Sequence, residues 1–181
     1  MLYIFVPETE LYDETEGCFV NVKPIKLALE HSLVSVSKWE TKWKKPFLDS
    51  TSSQTVEESR DYIRCMTINQ NVDPMVYYAL TKEHFDKVNA YINESMTATW
   101  FNNRQAGPRT KEIITSELLY YQMIAYGIPF ECQKWHLSRL LTLIRICSIK
   151  NGSEKKMSQR DILHSNRALN EARRKAHHTK G

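Results

Sequence analysis

The chain has 181 residues, an apolar share of 41% and a formal net charge of +4 at pH 7, which suits one domain with a buried core and a small satellite. It contains no run of about 18 apolar residues, so no membrane span is expected, and its N-terminus lacks the basic residues of a signal peptide. Its four cysteines are scattered without a CxxC pair, which is typical of buried thiols in a reducing compartment.

Charge is distributed unevenly along the chain. Residues 150–181 hold nine Lys and Arg against three Asp and Glu, a net charge of +6, so residues 1–149 carry about −2. Such a basic tail suits nucleic acid or an acidic protein surface, and it equally suits a solvated helix. These readings stay open at this point.

The first 24 residues favour a small β-sheet. Residues 2–6 are apolar and β-prone, and residues 10–22 read as a hairpin whose turn lies at 13–17. Pro24 is expected to close this sheet. A helix is then predicted over residues 27–43.

The middle of the chain carries local signals for helices. Thr55 and Glu58 match a capping box, and Thr81 opens a further helix. Another helix is predicted to run from Thr110 to about Tyr126 and to end at Gly127. Its buried face is predicted from apolar spacing as Ile113, Ile114, Leu118, Tyr121 and Ala125.

Residues 129–149 show the longest helical periodicity, and the rest of the chain is expected to pack around them. One apolar stripe consists of Leu137, Leu140, Leu141, Ile144 and Cys147. Pro129 suits the first turn of a helix, and Asn151-Gly152 supplies a stop signal.

Together these signals predict a mainly α fold. A small N-terminal β-hairpin or sheet over residues 1–24 is followed by a multi-helix bundle over 25–152. A basic C-terminal helical tail over 153–181 has a thin apolar face, so it is expected to order only by docking.

No pattern of catalytic residues stands out. Cys132 and His136 have a spacing that can share a metal on a helix, but no second ligand pair accompanies them. The carboxylates of Asp13, Glu14 and Glu16 fall in an exposed turn, where nothing separates their pKa values. The chain also lacks GxGxxG, P-loop and GxSxG motifs. It is therefore predicted not to be an enzyme and to use no cofactor or metal.

Trp39 and Trp43 alternate with lysines near the end of the helix predicted over 27–43. Such interleaving can stack on bases and pair with phosphates, or it can anchor a helix in the core beneath lysine stems. The core reading is favoured, and nucleic-acid binding is kept as an alternative.

Four blocks of the sequence resemble the tail assembly chaperones of long-tailed, siphovirus-type bacteriophages. They are LEHSLVSVSKWETKWKKPF (29–47), DYIRCMTINQNVDP (61–74), PFECQKWHLSRLLTLIRICSIKN (129–151) and KKMSQRDILHSNRALNEARRK (155–175). The resemblance implies a predominantly α-helical assembly factor without catalytic activity. Its expected partner is the tape measure protein, which it would keep soluble in the host cytoplasm until the tail tube polymerises, and it is not expected in the mature virion.

A binding surface for that partner is predicted beside the last two helices of the bundle. Its candidate lining residues are Leu119, Met123, Trp135, Leu143 and Ile146. These side chains would equally complete the monomer core. The tail residues Arg167, Arg173, Arg174 and Lys175 are candidates for a second contact, with the tape measure protein or with another copy of the chain. A contact with the tail tube protein is a further option, and a head–tail connector, a tail completion protein or a nucleic-acid-binding regulator are the alternative functions.

Overall fold

The computed structural model describes residues 1–13, 17–49, 54–101 and 113–153. Within them, four strands, five α-helices and two 3₁₀ segments make a mixed α/β fold with more helix than strand, where a mainly α fold was predicted. The elements are β1 (Leu2–Val6), β2 (Thr9–Asp13), β3 (Cys18–Val22), β4 (Ile25–Leu29), α1 (Leu33–Trp43), α2 (Val56–Met66), 3₁₀ Pro74–Tyr77, α3 (Lys82–Ile92), α4 (Ser116–Ala125), 3₁₀ Phe130–Lys134 and α5 (Leu137–Ser153).

Contacts divide the chain into one compact unit, Met1–Arg145, and a second unit, Ile146–Gly181. The core described below belongs to the first unit. The basic tail from residue 154 onward, including Arg167, Arg173, Arg174 and Lys175, lies outside the described residues.

The four strands form one long hairpin interrupted in its middle. β1 pairs antiparallel with β4 and β2 with β3, and the pairs Val6–Ile25 and Thr9–Val22 keep a single register. This register places Pro7 opposite Pro24 in the gap. Neither proline has an N–H to donate to a ladder, so the hydrogen bonding stops there and resumes beyond it.

The prediction that Pro24 closes the sheet and that a helix begins near residue 27 is wrong. Leu27 and Leu29 are fully buried within β4, Lys26 before them is exposed and Ala28 between them is half-buried. This alternation is the two-residue period of a strand with one face in the core. The predicted domain boundary between residues 24 and 25 therefore separates β1 from β4, two strands that pair with each other.

α1 begins only after Ser32, which forms a capping box with Ser35. α2 begins as predicted, because Glu58 N–H donates to Thr55 Oγ1 at 3.2 Å and Thr55 N–H donates to Glu58 Oε2 at 2.8 Å. The two helices pack against each other through Trp39, which is 2% exposed and whose indole N–H donates to the Glu58 carbonyl at 2.9 Å.

The long helix predicted over residues 129–149 is broken. It divides into the Phe130–Lys134 3₁₀ segment and α5, with Trp135 and His136 between them. His136 forms a β-bridge with Ser32, and Leu137 N–H donates to the His31 carbonyl at 2.7 Å. This pairing with the chain before α1 interrupts the helix, and apolar periodicity contains no information about such a distant partner.

α4 ends before Gly127, as predicted, but it begins at Ser116, capped by Thr115, and not at the predicted Thr110. Gly127 has φ +63°, its N–H donates to the Ile124 carbonyl at 3.1 Å, and Ile128 N–H donates to the Met123 carbonyl at 2.8 Å. These two bonds are a Schellman motif, which needs a residue in the left-handed conformation at its centre.

Replacing Gly127 with Ala is therefore expected to lower the free energy of unfolding by about 1–2 kcal/mol, the cost of a left-handed backbone at a residue with a Cβ. An added Cβ meets nothing within 4 Å, so the loss isolates backbone strain. Urea denaturation measures it, and Gly127→Asn should lose less, since Asn tolerates this conformation. Equal losses for Ala and Asn would contradict this assignment.

Candidate partner-binding surface

α4 faces the core with the side opposite to the predicted one. Leu119 is 1% exposed and Met123 is fully buried, so the prediction that they line an open groove is wrong. The same rotation exposes Tyr121 and Ala125, which were predicted to be buried. Ile113 and Ile114 were predicted on the same buried face, but they precede the helix and are exposed. α4 carries large apolar residues on both sides, so their spacing could not show which side faces inward.

The exposed side of α4 presents large apolar side chains to solvent. It consists of Glu117, Tyr121, Ile124 and Ala125, termed here the outer face of α4. Tyr121 and Ile124 are each 65% exposed, and their three-residue spacing makes them neighbours on the helix.

Apolar exposure continues along the chain on both sides of α4. Ile113 and Ile114 precede the helix and are 56% and 45% exposed, and Phe130 follows it at 53%. Single exposed apolar residues are ordinary. Contiguous apolar patches are typical of interaction surfaces, and these exposed apolar residues, like those of the outer face of α4, all fall within residues 113–130.

A buried carboxylate fixes the start of α4. Glu40 on α1 accepts a hydrogen bond from Ser116 N–H at 2.7 Å through Oε2 and one from Phe47 N–H at 2.8 Å through Oε1. The Glu40 residue is only 7% exposed. A negative charge at a helix N-terminus also interacts favourably with the helix dipole. α4 is thus held on α1, and this orientation keeps Tyr121 and Ile124 outward.

The remaining predicted groove residues belong elsewhere. Trp135 is half-buried under the Arg139 guanidinium, 4.2 Å from its ring centroid, and lines a cleft of about 360 Å³ together with Glu30 and Tyr91. Leu143 and Ile146 are half-buried on α5. Since Leu119 and Met123 lie in the core, the five residues do not form one exposed groove.

The described residues contain one cluster with the types of side chain used in catalysis. The Tyr62 hydroxyl lies 2.5 Å from His31 Nδ1 and 3.3 Å from Ser35 Oγ, and the ring of His136 is 5.1 Å from that of His31. None of these four residues is more than 7% exposed, although His136 borders the cleft beside Trp135 and Ser35 borders a second cleft. The cluster satisfies buried polar groups and ties α1, α2 and the start of α5 together.

Burial sets the protonation of this cluster. It lowers the pKa of His31 to about 4, with a further contribution from His136, and it raises the pKa of Tyr62. His31 is therefore neutral at pH 7, and the Tyr62 hydroxyl keeps its proton within the hydrogen-bonded cluster.

Cys132 and His136 do not share a helix, because the 3₁₀ segment that contains Cys132 ends at Lys134 and α5 begins only at Leu137. Cys132 is 5% exposed, as expected of a core thiol. Among the described residues, no three His, Cys, Asp or Glu side chains gather closely enough to hold a metal ion.

The tryptophan–lysine segment is occupied by contacts between α1 and α2. The Trp43 indole N–H donates to Asp61 Oδ2 at 2.9 Å, and Lys42 and Lys45 form ion pairs with Asp61 and Glu58. The Lys45 hydrogen bond, aided by the Thr55 N–H, lowers the pKa of Glu58. Trp39 lies in the core as well, so both indole N–H groups and the ammonium groups of Lys42 and Lys45 already have partners within the protein.

Comparisons with known protein families, with curated proteins and with solved structures find no match for this chain. In the described part of the chain, no helix is both long and apolar enough to cross a membrane. A function must therefore be inferred from the chain's own residues and surface.

Proposed function

We propose that the protein is a bacteriophage tail assembly chaperone that binds the tape measure protein and keeps it soluble before the tail tube forms. Two independent features support this. One is the resemblance of four sequence blocks to that family of chaperones. The other, which carries the proposal, is the outer face of α4, where Tyr121 and Ile124 remain 65% exposed on a helix whose other side is in the core.

The partner suited to this face is an amphipathic helix. Residues spaced three and four apart form ridges that fit the grooves of a second helix. Glu117 is exposed at the N-terminal end of the outer face and would pair with a Lys or Arg that flanks the partner's apolar stripe. A tape measure protein without its tube exposes such stripes along a very long helix, and they would otherwise drive aggregation.

One such contact is weak by itself. Burying the exposed parts of Tyr121 and Ile124 yields about 3 kcal/mol, and association consumes part of it. Several chaperones distributed along one long partner would nevertheless cover it, and each could leave as tube subunits arrive. A transient, non-enzymatic role in the host cytoplasm follows from this proposal, as does absence from the finished particle.

Replacing Tyr121 and Ile124 together by Asp is expected to reduce recovery of the tape measure protein of the same phage at least tenfold in co-purification from co-expressing cells. Two carboxylates would have to be desolvated at the interface. Both positions are exposed, so the variant should retain the thermal stability of wild type. The control is Val56→Asp, because Val56 is 67% exposed on a different helix.

Undiminished recovery with the Tyr121/Ile124 variant would refute a role for the outer face of α4. Equal losses in the Val56 control would point to a general effect of added charge. Mass spectrometry of purified virions forms the second arm, since a head–tail connector or tail completion protein would be retained there whereas a chaperone would be missing.

A further inference from the structure

A second surface feature is independent of the outer face of α4. Between α2 and the Pro74–Tyr77 3₁₀ segment lies a pocket of about 120 Å³. Its lining includes Lys42, Arg60, Asp61 and Arg64, together with the aromatic residues Tyr77 and Tyr78.

One of the acidic residues that line this pocket, Asp61, is already paired. Asp61 Oδ1 accepts from Lys42 Nζ at 2.7 Å and from Arg64 Nε at 3.1 Å, and Oδ2 accepts from the Trp43 indole. Burial by itself would raise the pKa of Asp61, but the hydrogen bonds from Lys42 and Trp43 hold it below its ordinary value. The carboxylate is thus ionised and fully engaged.

Arg60 has no such partner. Its guanidinium carbon lies 4.7 Å from the ring centroid of Tyr78, and its buried Nε has no hydrogen-bond acceptor among the described residues. Stacking on an aromatic ring fixes the plane of a guanidinium, whose N–H groups form a planar fork that matches a two-oxygen acceptor. An unpaired buried donor is costly, so a ligand that supplies an acceptor would relieve this cost.

The local charge also favours an anion. Lys42, Arg60 and Arg64 are three cations against Asp61 and the exposed Glu57, which gives a net charge of +1 around the pocket. The pocket's volume of about 120 Å³ is enough for one carboxylate or phosphate group.

We propose that this pocket binds a single oxyanion, a carboxylate or a phosphate group, through the guanidinium of Arg60 held against Tyr78. Arg64 and Lys42 add positive charge at its edge. The carboxylate could be an acidic side chain of a partner protein, and the phosphate could be free in solution, so both sources are tested separately.

The test follows the Arg60 Nε–H signal by NMR in the full-length protein. One probe is an acetylated and amidated Gly-Gly-Glu-Gly-Gly peptide, and the other is inorganic phosphate, each titrated at constant ionic strength against sodium chloride. A saturable shift of the Arg60 signal supports the proposal, and the tighter of the two probes identifies the source. A shift that grows linearly with either probe, or none at all, overturns it and leaves an adventitious ion only.

Arg60→Gln assigns the signal and removes the site, and binding measured by calorimetry should weaken at least tenfold. Arg139→Gln is the matched control, because Arg139 also stacks on an aromatic ring, that of Trp135, but does not line this pocket. Arg60→Lys, which keeps the charge and loses the planar fork, should weaken binding about fivefold and serves if the Gln variant does not fold. Wild-type affinity in both Arg60 variants would overturn the proposal.

Discussion

Replacing Glu40 with Ala is expected to lower the free energy of unfolding by about 4 kcal/mol. Glu40 is 7% exposed and accepts two backbone hydrogen bonds, from Phe47 N–H and Ser116 N–H. Hydrogen bonds to a charged group contribute about 1.5–3 kcal/mol each, and the variant leaves both donors without their acceptor. Chemical denaturation followed by circular dichroism measures the loss.

Two variants test whether this loss of stability comes from the two Glu40 carboxylate oxygens that accept the hydrogen bonds. Glu40→Gln keeps the shape but presents an NH₂ group to one of the two N–H donors, so it should lose roughly half as much. Glu94→Ala removes an exposed glutamate and should change the free energy by less than about 0.5 kcal/mol. A loss for Glu40→Ala no larger than that control would show that the carboxylate does not anchor α4.

The consequence of losing Glu40 extends to the proposed binding surface. Ser116 N–H is at the first residue of α4, so its release would loosen the start of the helix that displays Tyr121 and Ile124. Stability and partner binding should therefore decline together in Glu40→Ala, whereas the Tyr121/Ile124 variant should lose binding alone.

Lowering the pH from 6.5 to 4 is expected to remove about 3 kcal/mol of stability through His31. Burial lowers the pKa of His31 from 6.5 to about 4 in the folded state, so in this window the unfolded chain binds the additional proton. Stability therefore falls as the pH decreases below 6.5, by up to about 1.4 kcal/mol per unit. Above about pH 7.5, where the unfolded chain no longer binds this proton, the contribution does not change.

Urea denaturation at half-unit intervals between pH 7 and pH 4.5 measures this slope. Glu58 and Asp61 also have lowered pKa values, but their contribution declines at more acidic pH, near the ordinary pKa of a carboxylate. His31→Gln is the control. It should be less stable than wild type at pH 7 and should have a flatter pH dependence between pH 6.5 and 4.5. Parallel curves would assign the acid sensitivity to other groups.

The two proposals concern separate surfaces and can fail separately. The outer face of α4 is apolar and suits a helix, whereas the Arg60 pocket is small, cationic and suits one anionic group. If the tape measure protein uses both, its apolar stripe should be followed by an acidic residue, and the Arg60 and Tyr121/Ile124 variants should each weaken its capture.

Several parts of the fold were predictable because their causes are local. The capping box of Thr55 and Glu58 and the Schellman motif at Gly127 depend on side chains and backbone angles within a few residues. The inward position of Trp39 was also favoured in advance, because a tryptophan on the apolar stripe of a helix usually belongs to the core.

Other parts required distant partners. Residues 27–29 of β4 were predicted as helix because Leu29, Leu33 and Val36 have helical spacing, and only pairing with β1 makes these residues a strand. The break at Trp135 and His136 depends on Ser32 and His31, about a hundred residues earlier in the sequence. The Arg60 pocket had no sequence signal, since it depends on Tyr78 reaching back over α2.

The sequence by itself determined where α2 and α3 begin and where α4 ends, since caps and glycines act over a few residues. It also set the contrast between a slightly acidic body and a basic tail. Only the tertiary structure decided which side of α4 faces outward. Leu119 and Met123 and, opposite them, Tyr121 and Ile124 are all large and apolar, and the contact of α4 with α1 chose between two faces that hydrophobic periodicity cannot distinguish.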